Sequence, residues 1–183
     1  MQSEATPIPR RTLEALLRPE IVSVTPELEA ELKALGIDVS SWAPKYTVRQ
    51  LRQAMELVRA HTLSELPVER GYRELGRRFV LAFKQTPVGW IFSAMAPLFG
   101  PDLTMQTLPR YLSSVRDDFP ISVIAEKDHR YRFIYRDETQ YPDFIAGSVE
   151  VVLETCGLTT YEVRWEPQPP GFELVVSWSK TGG

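Results

Sequence analysis

The spacing of apolar residues changes once along this chain, and that change limits the folds open to it. Up to Tyr111 the apolar side chains recur every three to four residues, as on one face of a helix. From Phe119 onward most of them alternate with polar ones, as on a half-buried strand. Because the helices come first and the strands later, rather than in alternation, the sequence predicts an α+β fold.

The first part of the chain predicts a series of helices. The predicted helical segments are Thr12–Arg18, a helix opened by Thr25-Pro26 and closed before Gly36, one beginning near Thr47, Val68–Lys84, Val88–Phe99, and one from Asp102 through Tyr111. Val88–Phe99 has hardly any polar face, so we expect it to be buried all round. It is too short to cross a bilayer, which takes about 20 apolar residues.

The second part predicts a four-stranded, mostly antiparallel sheet made of two hairpins separated by a helix. The first hairpin joins Phe119–Glu126 to Arg130–Arg136, and the helix runs from Tyr141 to Gly157. Residues near Tyr161 and near Phe172 form the second hairpin. We expect residues 1–11 to be a flexible N-terminal arm and residues 12–183 to form a single domain.

Charge and cysteine content exclude several classes of protein. With a net charge of −3 and a pI near 5.5, the chain lacks the basic surface of a nucleic-acid binder. Its one cysteine, Cys156, cannot form an intramolecular disulfide, so we expect a cytoplasmic protein. The N-terminus has no continuous apolar stretch, so no secretory signal is expected.

No residue pattern predicts catalysis or a metal site. His61 and His129 stand far apart, outside any zinc-binding or catalytic motif. The chain has no G-x-S-x-G motif for a nucleophile, and its glycines form no phosphate-binding loop. We therefore expect a protein that is not an enzyme and that holds no metal.

Two groups of residues are candidate sites. The first is aromatic and forms either plain core or the lining of a pocket for a small apolar ligand: Trp90, Phe92, Phe133, Tyr135 and Phe144. The second is a basic stripe on helix 68–84, which is either a solvated face or a surface for an acidic protein partner: Arg70, Arg73, Arg77 and Lys84.

The chain also resembles a family of unknown function that is described as restricted to myxobacteria. The resemblance rests on short motifs spread over most of the chain: Thr12-Leu-Glu-Ala-Leu-Leu-Arg18, Leu35-Gly-Ile-Asp-Val39 with Ala43-Pro-Lys-Tyr46, Tyr72-Arg-Glu-Leu-Gly-Arg-Arg-Phe79 with Thr86-Pro-Val-Gly89, and Leu98-Phe-Gly-Pro101. Because no activity is established for that family, the resemblance supports the fold rather than a chemistry.

In topology the chain is similar to the superfamily of haem-nitric-oxide-binding domains, vinyl-reductase-like domains and TRAPP vesicle-tethering subunits. Haem binders there use a proximal histidine and a Tyr-x-Ser-x-Arg motif. Here Tyr111-Leu-Ser-Ser-Val-Arg116 carries its arginine one residue late, and no histidine occurs between His61 and His129. The sequence therefore predicts no haem.

The leading functional hypothesis is a non-catalytic sensory or regulatory domain that binds a small apolar ligand between sheet and helices. The alternative is a homodimeric protein-interaction scaffold with a fully packed core and no small-molecule ligand.

Overall fold

The computed structural model describes residues 4–113, 121–136 and 141–179. The helices in this part of the chain are α1 (Arg10–Leu16), α2 (Pro26–Ala34), α3 (Val48–Thr62), α4 (Val68–Lys84), α5 (Pro87–Ser113) and α6 (Pro142–Thr155). The strands are β1 (Pro7–Pro9), β2 (Lys45–Thr47), β3 (Ile121–Ala125), β4 (Arg130–Tyr135), β5 (Tyr161–Gln168) and β6 (Gly171–Trp178). The predicted α+β class is confirmed.

The main sheet has the strand order β3-β4-β6-β5, and every neighbouring pair is antiparallel. The two predicted hairpins, β3–β4 and β5–β6, are joined because β4 pairs with β6. At the centre Phe133 of β4 lies opposite Leu174 of β6 and Val123 of β3. The predicted sheet of two hairpins separated by a helix is thus present. Phe119, predicted to begin the first strand, and Arg116 lie outside the described residues.

Polar caps begin two of the N-terminal helices where the sequence predicts them. The Thr25 hydroxyl accepts a hydrogen bond from the Leu28 backbone N–H, with Pro26 at the first helical position. At the start of α3, Thr47 and Gln50 form a reciprocal capping box. Each cap satisfies backbone N–H groups that have no partner within the helix.

The N-terminal segment differs from the flexible arm predicted for residues 1–11. Strand β1 pairs antiparallel with β2, and the Ile8 side chain between its two prolines is buried. Helix α1 follows directly at Arg10. Three residues are too few to show an alternating pattern, so the sequence did not predict this strand.

Helices α4 and α6 cross at glycines on both sides. A Cβ added to Gly76 of α4 would lie 2.0 Å from the Phe144 carbonyl oxygen, and one added to Gly147 of α6 would lie 1.9 Å from the Arg73 carbonyl oxygen. The two backbones can approach this closely only without side chains at these positions. The crossing brings α4 against the helix that covers the sheet.

Two hydrophobic clusters form the core. One lies among α1 to α4 and the β1–β2 pair, and the other lies between the main sheet, α6 and the second half of α5. Phe144 packs against both clusters and so joins them. Phe79 of α4 is partly buried and lies 5.5 Å from Phe144 between ring centroids.

Candidate functional site

A cavity of about 260 Å³ lies beside α5. It is open to solvent on one side and bounded by the two halves of this helix and the end of α4, and its lining residues are Phe83, Val88, Ile91, Phe92, Met95, Ala96, Phe99, Thr104 and Thr107. The helix breaks at Gly100, where φ is 73° and ψ is 170°. Only glycine adopts such angles readily, and the break lets Thr104 and Thr107 face the same space as Phe92.

The cavity wall is almost wholly apolar and carries no charged side chain among the residues that line it. Its two hydroxyl groups are already engaged, since Thr104 donates to the Gly100 carbonyl at 2.8 Å and Thr107 to the Leu103 carbonyl at 2.8 Å. A molecule in this space would therefore be held by contact area and exclusion of water rather than by ion pairs.

The structure brings only one of the five predicted pocket residues to this cavity. Phe92 lines it, whereas Phe133 and Tyr135 are fully buried in the cluster under the sheet. Phe144 is partly buried at the junction of the two clusters. Trp90 was expected in the core, and that prediction is wrong because its side chain is 69% exposed.

The apolar first half of α5 is not buried all round, contrary to the expectation for Val88–Phe99. Several of its large side chains are exposed: Val88, Trp90, Ile91, Met95, Leu98 and Phe99. Val88, Ile91, Met95 and Phe99 line the cavity and are exposed where it opens, and no further layer of the described chain covers them or Trp90 and Leu98. Composition alone predicted burial here because it cannot show whether a neighbouring element exists.

Most residues of the predicted basic stripe on α4 form contacts within the domain. Arg73 donates to Glu150 of α6 at 2.6 and 2.8 Å, and Arg77 bridges Glu150 and Glu154. The expectation that Arg70, Arg73 and Arg77 are exposed together is wrong, because only Arg70 is exposed.

At the end of the same helix, Lys84 donates to the Thr155 hydroxyl at 3.1 Å. The stripe therefore faces α6 and serves mainly to attach α4 to it. Arg70 is exposed and available to an acidic partner. Its basic neighbours Arg73, Arg77 and Lys84 are already hydrogen-bonded to α6.

A polar cluster that the sequence analysis missed ties the kinked helix to the sheet. Asp102, two residues after the break in α5, lies 3.0 Å from His129 Nδ1 and accepts a 2.7 Å hydrogen bond from the Tyr131 hydroxyl. Trp178 stacks on the Tyr131 ring at 5.4 Å between centroids. Burial, followed by the nearby Asp102 carboxylate, raises the pKa of Tyr131. Because these residues are distant in sequence, no local pattern could have grouped them.

Neither histidine lines the cavity. His61 Nε2 lies 3.0 Å from a Glu31 oxygen, and His129 faces Asp102. Within the ranges that the structure describes, no three His, Cys, Asp or Glu side chains are grouped to hold a metal ion. None of the described helices combines the length and the apolar character needed to span a membrane.

The fold is similar to that of solved H-NOX structures. A mutant Fe(II) unliganded H-NOX protein from K. algicida has a TM-score of 0.66 and 11% sequence identity, with 94% of this chain and 97% of that chain covered. A structure that gives insight into the molecular mechanism of H-NOX activation has a TM-score of 0.58 and 16% sequence identity. It covers 93% of this chain and 92% of that chain. An oxygen complex of an H-NOX domain related to soluble guanylate cyclases has a TM-score of 0.56 and 12% sequence identity. It covers 93% of this chain and 91% of that chain.

At these identities the similarity shows a shared fold and nothing finer. No curated protein matches the chain in sequence. A family profile described as "Protein of unknown function (DUF2378)" matches residues 7–179, nearly the whole chain. The chain therefore belongs to the DUF2378 family.

Proposed function

We propose that this protein is a non-catalytic sensory or regulatory domain that binds a small apolar ligand in the cavity beside α5. The observation that carries the proposal is the cavity itself, about 260 Å³ and lined by aromatic and aliphatic side chains. Sites for drug-sized ligands measure about 300–1,000 Å³, so the ligand should be smaller than a typical drug.

The shared fold supports this proposal by analogy. One of the similar structures is an oxygen-binding H-NOX domain, and another concerns the modulation of haem redox potential through porphyrin distortion. The fold thus accommodates a bound group in other proteins, although a shared fold does not carry a ligand from one protein to another.

Haem does not fit the lining of this cavity. Protein ligands to haem iron are histidine, cysteine, tyrosine or methionine side chains, and Met95 is the one such residue among those that line the space. No lysine or arginine is present in the lining to neutralise the two haem carboxylates. The donor set therefore favours an uncharged hydrocarbon-like ligand without a metal.

The lining also offers no group for acid–base or nucleophilic chemistry. Its only hydroxyls belong to Thr104 and Thr107, which donate to backbone carbonyls of their own helix and have no neighbouring base in the lining. Binding, rather than turnover, is the function that such a wall supports.

A pair of alanines on α5 allows a matched test. Ala96 is buried and lines the cavity, whereas Ala94 is exposed and does not. Native mass spectrometry of protein from its own host should find a co-purifying small molecule. A screen of uncharged lipids and aromatic metabolites should find a compound that raises the unfolding temperature. A ligand present at about 100 times its dissociation constant adds about 2.7 kcal/mol of stability.

Ala96→Leu should fill part of the cavity and remove both signals, and Ala94→Leu should retain them. Equal binding by the two variants would place the ligand elsewhere. If no compound shifts the wild type and no mass co-purifies, the proposed function is wrong.

A further inference from the structure

We propose that the exposed face of the first half of α5 is a homodimer interface, through which two copies of this chain associate about a two-fold axis. This face carries six apolar side chains, with Ile91, Met95 and Leu98 at its centre, Trp90 on one edge, and Val88 and Phe99 on the other. Four of them, Val88, Ile91, Met95 and Phe99, also line the cavity, so the face includes the cavity mouth, but the inference does not require a ligand there.

The exposed area of this face is close to what a stable dimer needs. Its six side chains are on average more than half exposed, with Trp90 at 69% and Leu98 at 78%. A large side chain has about 150–250 Å² of surface, so together they expose on the order of 700 Å². The largest apolar patch on a typical monomer is about 300–600 Å², and a standard interface buries about 800 Å² per partner.

The charge distribution favours a second copy over a membrane or a charged protein. No charged residue occurs from 85 to 101, so two chains of net charge −3 can meet here without bringing like charges together. Binding to a lipid surface is strengthened by lysines and arginines beside the apolar face. The preceding cation, Lys84, already donates to Thr155.

The face also carries both halves of a self-complementary contact. Ile91 and Met95 line the cavity and are exposed as well, so the mouth of the cavity opens on this face. Trp90 and Leu98, its two most exposed side chains, are on the same helix. A two-fold interface uses one patch twice, so each copy can place a protruding side chain against the mouth of the other. Tryptophan is one of the residue types enriched among the anchors of such contacts.

Sedimentation equilibrium of the full chain tests this assignment. The wild type should sediment with twice the 20.9 kDa mass of one chain. Leu98→Glu and Trp90→Glu should each raise the dimer dissociation constant about 30-fold or more, as expected for central interface residues. Val68→Glu is the matched control, because Val68 is an exposed apolar residue of α4 away from this face, and it should leave the dimer intact.

Circular dichroism of the variants separates loss of association from loss of folding, since both positions are exposed. A monomeric wild type would overturn the proposal, and so would a Leu98→Glu variant as dimeric as the control. If a monomeric wild type pellets with phosphatidylcholine vesicles and Leu98→Glu does not, the face belongs to a lipid surface instead. Ligand binding to a monomer would leave the proposed function standing while this inference failed.

Discussion

Adding one methyl group at the crossing of α4 and α6 should destabilise the domain strongly. In Gly76→Ala the new Cβ would lie 2.0 Å from the Phe144 carbonyl oxygen, and in Gly147→Ala it would lie 1.9 Å from that of Arg73. Both obstacles are backbone atoms, so one helix must retreat by more than about 1 Å to reach ordinary contact distance. Overpacking a core usually costs about 1–3 kcal/mol of stability. We expect a cost of about 3 kcal/mol here, because a backbone atom cannot rotate away as a side chain can.

Part of that cost is offset because alanine is a better helix former than glycine by about 1 kcal/mol. We therefore expect each variant to lose about 2 kcal/mol or more from its free energy of unfolding. This is a large fraction of the roughly 5–15 kcal/mol of a typical domain. Urea unfolding followed by far-UV circular dichroism measures the loss.

Gly71→Ala is the matched control on the same helix. There the added Cβ would lie 3.2 Å from side-chain carbons of Arg59, and the nearest backbone atom, the Leu63 carbonyl oxygen, would be 3.7 Å away. This variant should be as stable as the wild type or gain up to about 1 kcal/mol. If Gly76→Ala and Gly147→Ala match this control, the close crossing of the two helices does not exist.

Three further predictions concern titratable groups. Glu150→Gln should lower the free energy of unfolding by about 1–3 kcal/mol in urea melts, because its carboxylate accepts hydrogen bonds from two arginines. The Arg132 guanidinium holds the pKa of Glu173 below its usual value, so this pair stabilises the fold above about pH 4.3 and progressively less as pH falls through the lowered pKa. Glu173→Gln should flatten that acid dependence, and an unchanged pH profile would contradict the pairing. Burial raises the pKa of Cys156, so a thiol reagent should label it slowly in the native protein and fast in urea.

Local patterns predicted most of the secondary structure because their causes are local. The Thr25-Pro26 start and the capping box at Thr47 satisfy backbone groups within a few residues of the cap. Alternation along β4 places Tyr131, Phe133 and Tyr135 on one buried face. These features depend on neighbours in sequence, so they could be predicted without the fold.

The sequence predicted what kind of site to expect, but not where it lies. An apolar cavity was expected, but it lies within the bend of α5 rather than between that helix and the aromatic face of β4. The difference arises at Gly100, whose positive φ breaks α5 and brings Thr104 and Thr107 of its second half beside the apolar first half. Of the expected lining, Phe92 alone reaches the cavity.

The sequence alone was enough to determine the order of the helices and of the four main-sheet strands, the antiparallel hairpins and the absence of charge along 85–101, because each depends on residues close together in the chain. Only the tertiary structure decided that Trp90 is exposed, that Arg73 and Arg77 serve α6, and that Asp102 meets His129. Burial and pairing depend on which distant segments arrive beside a residue. An apolar helix therefore predicts that something should cover it, and the packing of the whole chain decides whether anything does.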